Sequence, residues 1–80
     1  MSHTHETTEH LVNYTYNGST RTMVVKKSVT EYEKLFAVRT QKGEVILQFY
    51  DYRWNVISTV KMRYELAQCV GEAISDAGLI

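Results

Sequence analysis

The alternation of apolar and polar residues predicts two hairpins in the first part of the chain. Asn17-Gly18 separates two β-rich runs at residues 11–16 and 19–25. This dipeptide favours a type I′ turn because both residues tolerate a positive φ. A two-residue loop pairs Tyr16 with Ser19 and leaves apolar and polar side chains on both faces. We therefore expect this hairpin to lie at an edge of the sheet or to be partly exposed, and Lys26 and Lys27 would oppose edge-to-edge association of an edge strand.

The second hairpin has a clearer pattern. Lys42-Gly43 lies between residues 35–41 and residues 44–50. A two-residue loop at this point pairs Gln41 with Glu44, and further along it pairs Phe36 with Phe49. The apolar side chains that then share one face are Phe36, Val38, Val45, Leu47 and Phe49. Because a slip of one residue would move this set to the other face, the pattern favours the stated register.

The sequence predicts the secondary structure less clearly on either side of the second hairpin. Residues 28–34 contain two overlapping capping boxes, Ser28 with Glu31 and Thr30 with Glu33. They favour a short helical turn, with a continued strand as the open alternative. Residues 51–55 indicate a turn, and the β-branched residues within 56–61 predict a further strand.

The C-terminal segment predicts one amphipathic helix. From residue 62 to residue 77, apolar residues recur at steps of three and four. Gly78 then occupies the position of a C′ glycine, and Leu79 follows it as in a Schellman motif. Gly71 weakens the helix by about 1 kcal/mol relative to alanine, which is tolerable if the face is packed or another segment comes close.

These elements predict an α+β fold. An antiparallel sheet of four to five strands packs on one C-terminal amphipathic helix, with residues 1–9 as a flexible polar tail and residues 10–80 as a single domain. One helix can cover only one face of such a sheet. The other face must meet solvent, a second copy or a target.

Composition and charge exclude several classes of protein. Nine Lys and Arg balance nine Asp and Glu, so the whole chain has no net field to steer it toward a phosphate backbone. A single cysteine, Cys69, cannot form an internal disulfide. No apolar run is long enough to span a membrane. We expect a cytoplasmic protein without membrane association.

Candidate catalytic and metal-binding residues do not form a recognisable constellation. His3, His5 and His10 lie at the polar N-terminus, where their spacing defines no tetrahedral site. Cys69 falls on the apolar stripe of the helix, which indicates a buried structural thiol. The glycines are isolated, so no phosphate-binding loop is present. The sequence therefore predicts neither an enzyme, nor a metal site, nor a cofactor.

Aromatic residues are the feature that points toward binding. They make up 11% of the chain and cluster at residues 50–54. Tyr, Trp and Arg bury large rigid surfaces at interfaces and also stack on bases. The predicted binding residues are Tyr50, Tyr52, Arg53, Trp54, Arg39, Tyr14 and Arg21. Lys61 and Arg63 form a possible anion site near the start of the helix. Packing at the rim of the core is the alternative for each aromatic residue.

Two functions fit this pattern best, and a third alternative is an enzyme subunit or a structural component of a larger assembly. The first is a binding module that acts by stoichiometric protein contact, similar in size to the small accessory proteins with which phages and mobile elements inhibit or adapt host complexes. The second is a single-stranded nucleic-acid or nucleotide binder, whose order of strands and one helix is similar to that of dimeric single-strand-binding transcriptional coactivators. We expect a protein partner, and a homodimer fits either function.

Overall fold

The computed structural model describes residues 6–80. Five strands form one antiparallel sheet in the order β1-β2-β3-β4-β5, followed by a single helix. The elements are β1 Glu6–Tyr16, β2 Ser19–Val29, β3 Lys34–Thr40, β4 Gly43–Tyr50, β5 Arg53–Val56 and α1 Tyr64–Asp76. The predicted α+β fold, with an antiparallel sheet on one C-terminal helix, is confirmed.

The first hairpin has the predicted turn and register. Asn17 and Gly18 have φ angles of 52° and 78°, and Tyr16 pairs with Ser19. β1 is the edge strand, whereas β2 lies between β1 and β3, so the expectation that Lys26 and Lys27 protect an edge strand is wrong. β1 also begins at Glu6, because the length of β2 gives residues 6–9 a partner strand. These residues therefore belong to the sheet, and the rest of the predicted tail lies outside the described residues.

The second hairpin confirms the predicted faces but not the predicted register. Thr40 pairs with Gly43 and Phe36 pairs with Leu47, so the two-residue turn is Gln41-Lys42. The Thr40 hydroxyl donates to the Gly43 carbonyl at 2.7 Å and accepts the Lys42 N–H at 3.2 Å. A shift of two residues leaves every side chain on its face, so the hydrophobic pattern could not distinguish the two registers.

Residues 28–34 contain no helical turn. β2 continues to Val29 and β3 starts at Lys34, with a short loop between them. One of the two capping contacts predicted for Thr30 is nevertheless formed, because its hydroxyl accepts the N–H of Glu33 at 3.1 Å. The Thr30 N–H donates to the main-chain carbonyl of Glu33 at 2.9 Å. The Thr30 hydroxyl and a main-chain hydrogen bond thus close a tight loop here instead of starting a helix.

The last strand lies earlier than predicted. β5 covers Arg53–Val56 and pairs with β4 across the turn Asp51-Tyr52. Both turn residues have a positive φ, at 57° and 62°. The predicted strand over residues 56–61 is wrong beyond Val56. Beyond Val56, the Ile57 N–H donates to the Ile46 carbonyl, and the Ser58 hydroxyl accepts the Ile46 N–H at 3.0 Å.

The helix ends in the Schellman motif that the sequence predicted. The Leu79 N–H donates to the Ile74 carbonyl, and the Gly78 N–H donates to the Ser75 carbonyl. Gly78 has a φ of 76°, and Leu79 is buried beside Ile74 in the core. This arrangement satisfies the last carbonyls of α1 and fixes the direction of the C-terminus.

The core lies between α1 and one face of the sheet, which we name the helix-covered face. Its buried residues from the sheet are Val12, Met23, Val25, Phe36, Val38, Val45, Leu47 and Trp54, and those from the C-terminal segment are Ala67, Val70, Ile74 and Leu79. The opposite face, named the open face, is covered by no described element. It exposes Leu11 and Val24, which are cross-strand partners.

Side chains of α1 hydrogen-bond to the outer edges of both edge strands. The amide of Gln68 donates to the Trp54 carbonyl at 2.8 Å and accepts the Trp54 N–H at 3.5 Å. The Cys69 thiol donates to the Thr15 carbonyl at 2.8 Å. Since an unpaired strand edge is a template for association, α1 completes part of β5 and part of β1 as well as covering the core.

Candidate functional site: a cationic cleft beside an open strand edge

The first hairpin extends beyond the rest of the sheet as a two-stranded arm. β2 pairs with β1 along its whole length, but with β3 only from Val25 to Val29. Residues 13–22, named the arm here, therefore have no third strand beside them. Side-chain hydrogen bonds join the two strands of the arm, from Thr22 to Asn13 at 2.6 Å and between Thr15 and Thr20 at 2.9 Å. These cross-strand bonds add to the contacts that tie the base of the arm to the rest of the fold, where Tyr14 packs against the core and the Thr15 carbonyl accepts the Cys69 thiol.

A cleft of about 940 Å³ lies where β2 separates from β3. One wall is β2, the other is the end of β3 with the turn that follows it, and the start of α1 forms the floor. Six cationic side chains line it, Arg21, Lys26, Arg39, Lys42, Lys61 and Arg63, together with the carboxylates of Glu9 and Glu44. We name this site the cationic cleft.

The cleft concentrates positive charge, although the whole chain has no net charge. Of the nine cations in the chain, six line the cleft, whereas only two of the nine carboxylates do so. The remaining surface carries three cations and seven carboxylates. Because the two sets lie on different parts of the molecule, a chain of zero net charge still presents a positive field at this site.

Both faces of the sheet contribute to the cleft. Lys26 and Arg39 belong to the open face, whereas Arg21 shares the helix-covered face with Met23. Glu9 lies 3.9 Å from the Lys26 ammonium nitrogen, an exposed pair that offsets little of the positive charge. The cleft also contains apolar surface from Met23, Val24, Met62 and Leu66. It is therefore able to bind both charged and apolar groups of a ligand.

The start of α1 adds cations where the helix itself is positive. Arg63 is the N-cap residue, and its side chain caps no N–H group. Cations at this end are unfavourable with the helix dipole, and Lys61 and Arg63 both line the cleft. The anion site predicted for the two residues stays a prediction.

Trp54 does not lie in an exposed turn as the sequence suggested. It is part of β5, with only 5% of its surface exposed. Its ring packs edge-on against Phe36 at a centroid distance of 5.4 Å and lies tilted against Phe49 at 5.3 Å. A Cβ atom at Gly71 would come within 2.2 Å of the ring. The core therefore explains both Trp54 and the glycine in the middle of α1.

The other members of the aromatic cluster are exposed and lie away from the cationic cleft. Tyr52 is 93% exposed at the tip of its turn, and Tyr50 is 70% exposed beside its cross-strand partner Arg53. Tyr50 lines a separate cavity of about 570 Å³, whose exposed apolar residues also include Tyr32, Phe49 and Ile80. This cavity shares no lining residue with the cationic cleft.

The predicted site residues thus form two groups. The structure brings Tyr14, Arg21, Arg39, Lys61 and Arg63 together in the cationic cleft, and it places Tyr50, Tyr52 and Arg53 around the β4–β5 turn. Sequence reasoning missed Lys26, Lys42 and the open edge of the arm. The six cations are spread from residue 21 to residue 63, so no local motif could have identified them as one site.

Residues 6–80 contain neither a metal-binding cluster nor a membrane-spanning helix. No group of three His, Cys, Asp or Glu side chains within these residues could hold a metal ion. They also contain no helix with the length and apolarity needed to cross a membrane. His3 and His5 lie outside the described residues, and the His10 ring nitrogen Nε2 is 2.7 Å from the Thr8 hydroxyl.

Comparisons with protein-family models, curated proteins and solved structures found no match to this chain. The charge, the shape and the open edges of the site therefore carry the functional argument alone.

Proposed function

We propose that this protein is a non-enzymatic module that binds a protein partner through the cationic cleft, acting by stoichiometric contact as an inhibitor or adaptor. The observation that carries the proposal is the gathering of six of the nine cations around one open cleft. Like charges held together cost stability unless a partner neutralises them. Complementary charge on a partner would speed the encounter and select against wrong partners.

Site-specific photo-crosslinking in the native host tests the proposal. A photoreactive residue at Gln41, which is exposed and lines the cleft, is expected to give a covalent adduct with a protein partner. The same residue at Tyr52, exposed but outside the cleft, serves as the control. Adducts formed only from Tyr52 would move the binding site to the aromatic cluster and contradict the proposal.

A pair of charge-reversed variants tests the role of charge. Arg39→Glu with Lys61→Glu changes two cations of the cleft, whereas Lys34→Glu with Arg53→Glu changes two exposed cations outside it. Both variants alter the net charge equally. We expect the adduct from Gln41 to be lost only in the first variant, and equal loss in both would argue against a specific cleft.

Single-stranded nucleic acid is the second candidate ligand. The same six cations favour it, and Tyr14 supplies one aromatic surface in the cleft. Tyr14 is the single aromatic residue of that lining, however, and stacking normally uses several. Filter binding of single-stranded DNA across a series of salt concentrations separates the candidates, because phosphate contacts weaken steeply as salt rises. We expect no retention at physiological salt.

Pairing of two copies is a separate part of the proposal. Leu11 is 76% exposed and Val24, its cross-strand partner, is 43% exposed on the open face. Exposed apolar pairs of this kind favour association. Sedimentation velocity is expected to show a dimer that Leu11→Lys converts to a monomer. A monomer at every concentration tested would contradict the proposed dimer.

A further inference from the structure

The edge of β2 that faces the cleft has main-chain groups directed away from β1. The two-residue turn makes Tyr16 and Ser19 a mutually hydrogen-bonded pair. Main-chain direction alternates along an antiparallel strand, so Thr20 and Thr22 direct their N–H and C=O groups to the side where the arm has no strand neighbour. Thr22 lines the cationic cleft. An edge of this kind is able to accept an added strand.

We infer that the cationic cleft takes an extended acidic segment of a partner protein, which adds to β2 as a strand along residues 19–22. The inference rests on the proposed function and names the chemistry of the partner. The added strand would lie end to end with β3, in the space beyond Thr40 where β3 ends. Four residues of strand span about 13 Å.

The side chains around the edge fit such a segment on both of its faces. Successive side chains of a strand point to opposite sides, and the cleft has cations on each. Arg21 and the start of α1 lie on the helix-covered side, and Lys26 and Arg39 lie on the open side. Carboxylates on either face of the segment would find a cation, while Met23 and Met62 offer apolar contact.

The same features favour a peptide over a nucleic acid. A strand edge offers main-chain donors and acceptors in the spacing of another strand, which a sugar-phosphate chain does not match. Base stacking would depend on Tyr14 alone among the lining residues. Cations and apolar surface beside an open edge are together explained by a peptide with acidic and apolar side chains.

Isothermal titration of the full chain with synthetic peptides tests the inference. The probe is a capped peptide of about eight residues that alternates glutamate with valine. One comparison peptide replaces glutamate by lysine, and another keeps glutamate but carries N-methyl groups on alternate amides, which prevent strand addition while preserving charge. We expect both comparison peptides to bind at least about tenfold more weakly.

Two matched proline variants locate the binding edge. Thr22→Pro and Asn13→Pro each remove one N–H that points away from the β1–β2 pair, because the two residues are cross-strand partners on opposite edges of the arm. Each variant also loses the hydrogen bond from Thr22 to Asn13 at 2.6 Å, so their stabilities should be similar. We expect only Thr22→Pro to weaken the binding of the glutamate peptide, by about tenfold or more.

Each other outcome overturns the inference. Equal affinity for the N-methylated peptide would show attraction by charge without an added strand, and equal affinity for the lysine peptide would show no preference for acidic segments. Binding of single-stranded DNA in place of the glutamate peptide would favour nucleic acid. If no probe binds, the inference that the cleft takes an extended acidic segment is wrong. The crosslink from Gln41 still shows independently whether the cleft contacts a protein partner.

Discussion

The two ends of the sheet differ in how their strand edges and side chains are satisfied. At the end around Trp54, the Gln68 amide completes the edge of β5, and the indole ring fills the space above Gly71. In the arm, β2 has one strand neighbour, and the space beside it is a cleft lined by cations. Around Trp54 the strand edge is hydrogen-bonded and the ring is packed, whereas the arm has an open edge beside a cleft lined by cations.

This difference separates residues that hold the fold from residues that are available for binding. Aromatic residues at the Trp54 end include the strongest interface types by composition, yet the central one is buried. The cations around the arm are individually ordinary and are distinguished only by their proximity. Large effects on stability are therefore expected at the Trp54 end, and small ones around the cationic cleft.

The largest effect is expected from Trp54→Ala. Removing this buried ring should lower the free energy of unfolding by about 3–5 kcal/mol, which is comparable with the whole stability of many small domains. Urea unfolding followed by circular dichroism measures it. Tyr52→Ala, at an exposed turn position, is the control and should cost little. Similar effects of the two substitutions would contradict the assignment of Trp54 to the core.

Gly71→Ala should have the next largest effect on the free energy of unfolding. Helix propensity favours alanine by about 1 kcal/mol, but the new Cβ would lie 2.2 Å from the Trp54 ring. Overpacking typically costs about 1–3 kcal/mol or more, so the net effect is destabilising. A double-mutant cycle with Trp54→Leu measures the coupling. A Gly71→Ala penalty of the same size without the indole would show that the close contact is not its cause.

Gln68→Leu is expected to act on the edge of β5. The substitution leaves the Trp54 N–H and C=O without their side-chain partner, at a cost of about 1–3 kcal/mol for half-buried groups. It also exposes a strand edge, so light scattering should rise with protein concentration. Glu72→Leu, an exposed position on α1, controls for the added apolar surface. Unchanged stability in Gln68→Leu would mean that the edge needs no side-chain partner.

The smallest effect, and one of opposite sign, is expected at the cationic cleft. Arg39→Gln with Lys61→Gln should raise the free energy of unfolding by about 0.5 kcal/mol at low salt, because like charges in the cleft are reduced. Salt screens exposed charges, so the gain should disappear near 1 M salt. The measurement is urea unfolding at two ionic strengths. Destabilisation by this variant would place the two cations among the residues that hold the fold.

Local patterns predicted the elements whose determinants lie close together in the chain. Asn17-Gly18 fixed a turn because its two residues alone set the required φ angles. Gly78 and Leu79 fixed the end of α1 for the same reason. The register of the second hairpin failed because the apolar pattern has a period of two and is unchanged by a shift of two residues.

The candidate site was predictable only in part. Five of its residues were named from their types, but the sequence also grouped Trp54 with them, since an aromatic residue near a turn has the same local pattern in a core and in an interface. The glycine at residue 71 was the one signal of a close approach in the helix, and it gave no indication of the partner. Only the packing identifies that partner as the indole ring.

By itself, the sequence determined the secondary structure class, the first turn, the apolar faces of β3 and β4, and the C-terminal helix with its stop. Each follows from interactions within a few residues or from the period of the apolar positions. Tertiary structure alone decided that β2 extends beyond β3, that Gln68 and Cys69 reach opposite edges of the sheet, and that six distant cations meet in one cleft. Those features depend on the path of the folded chain, which places residues far apart in sequence within reach of one another.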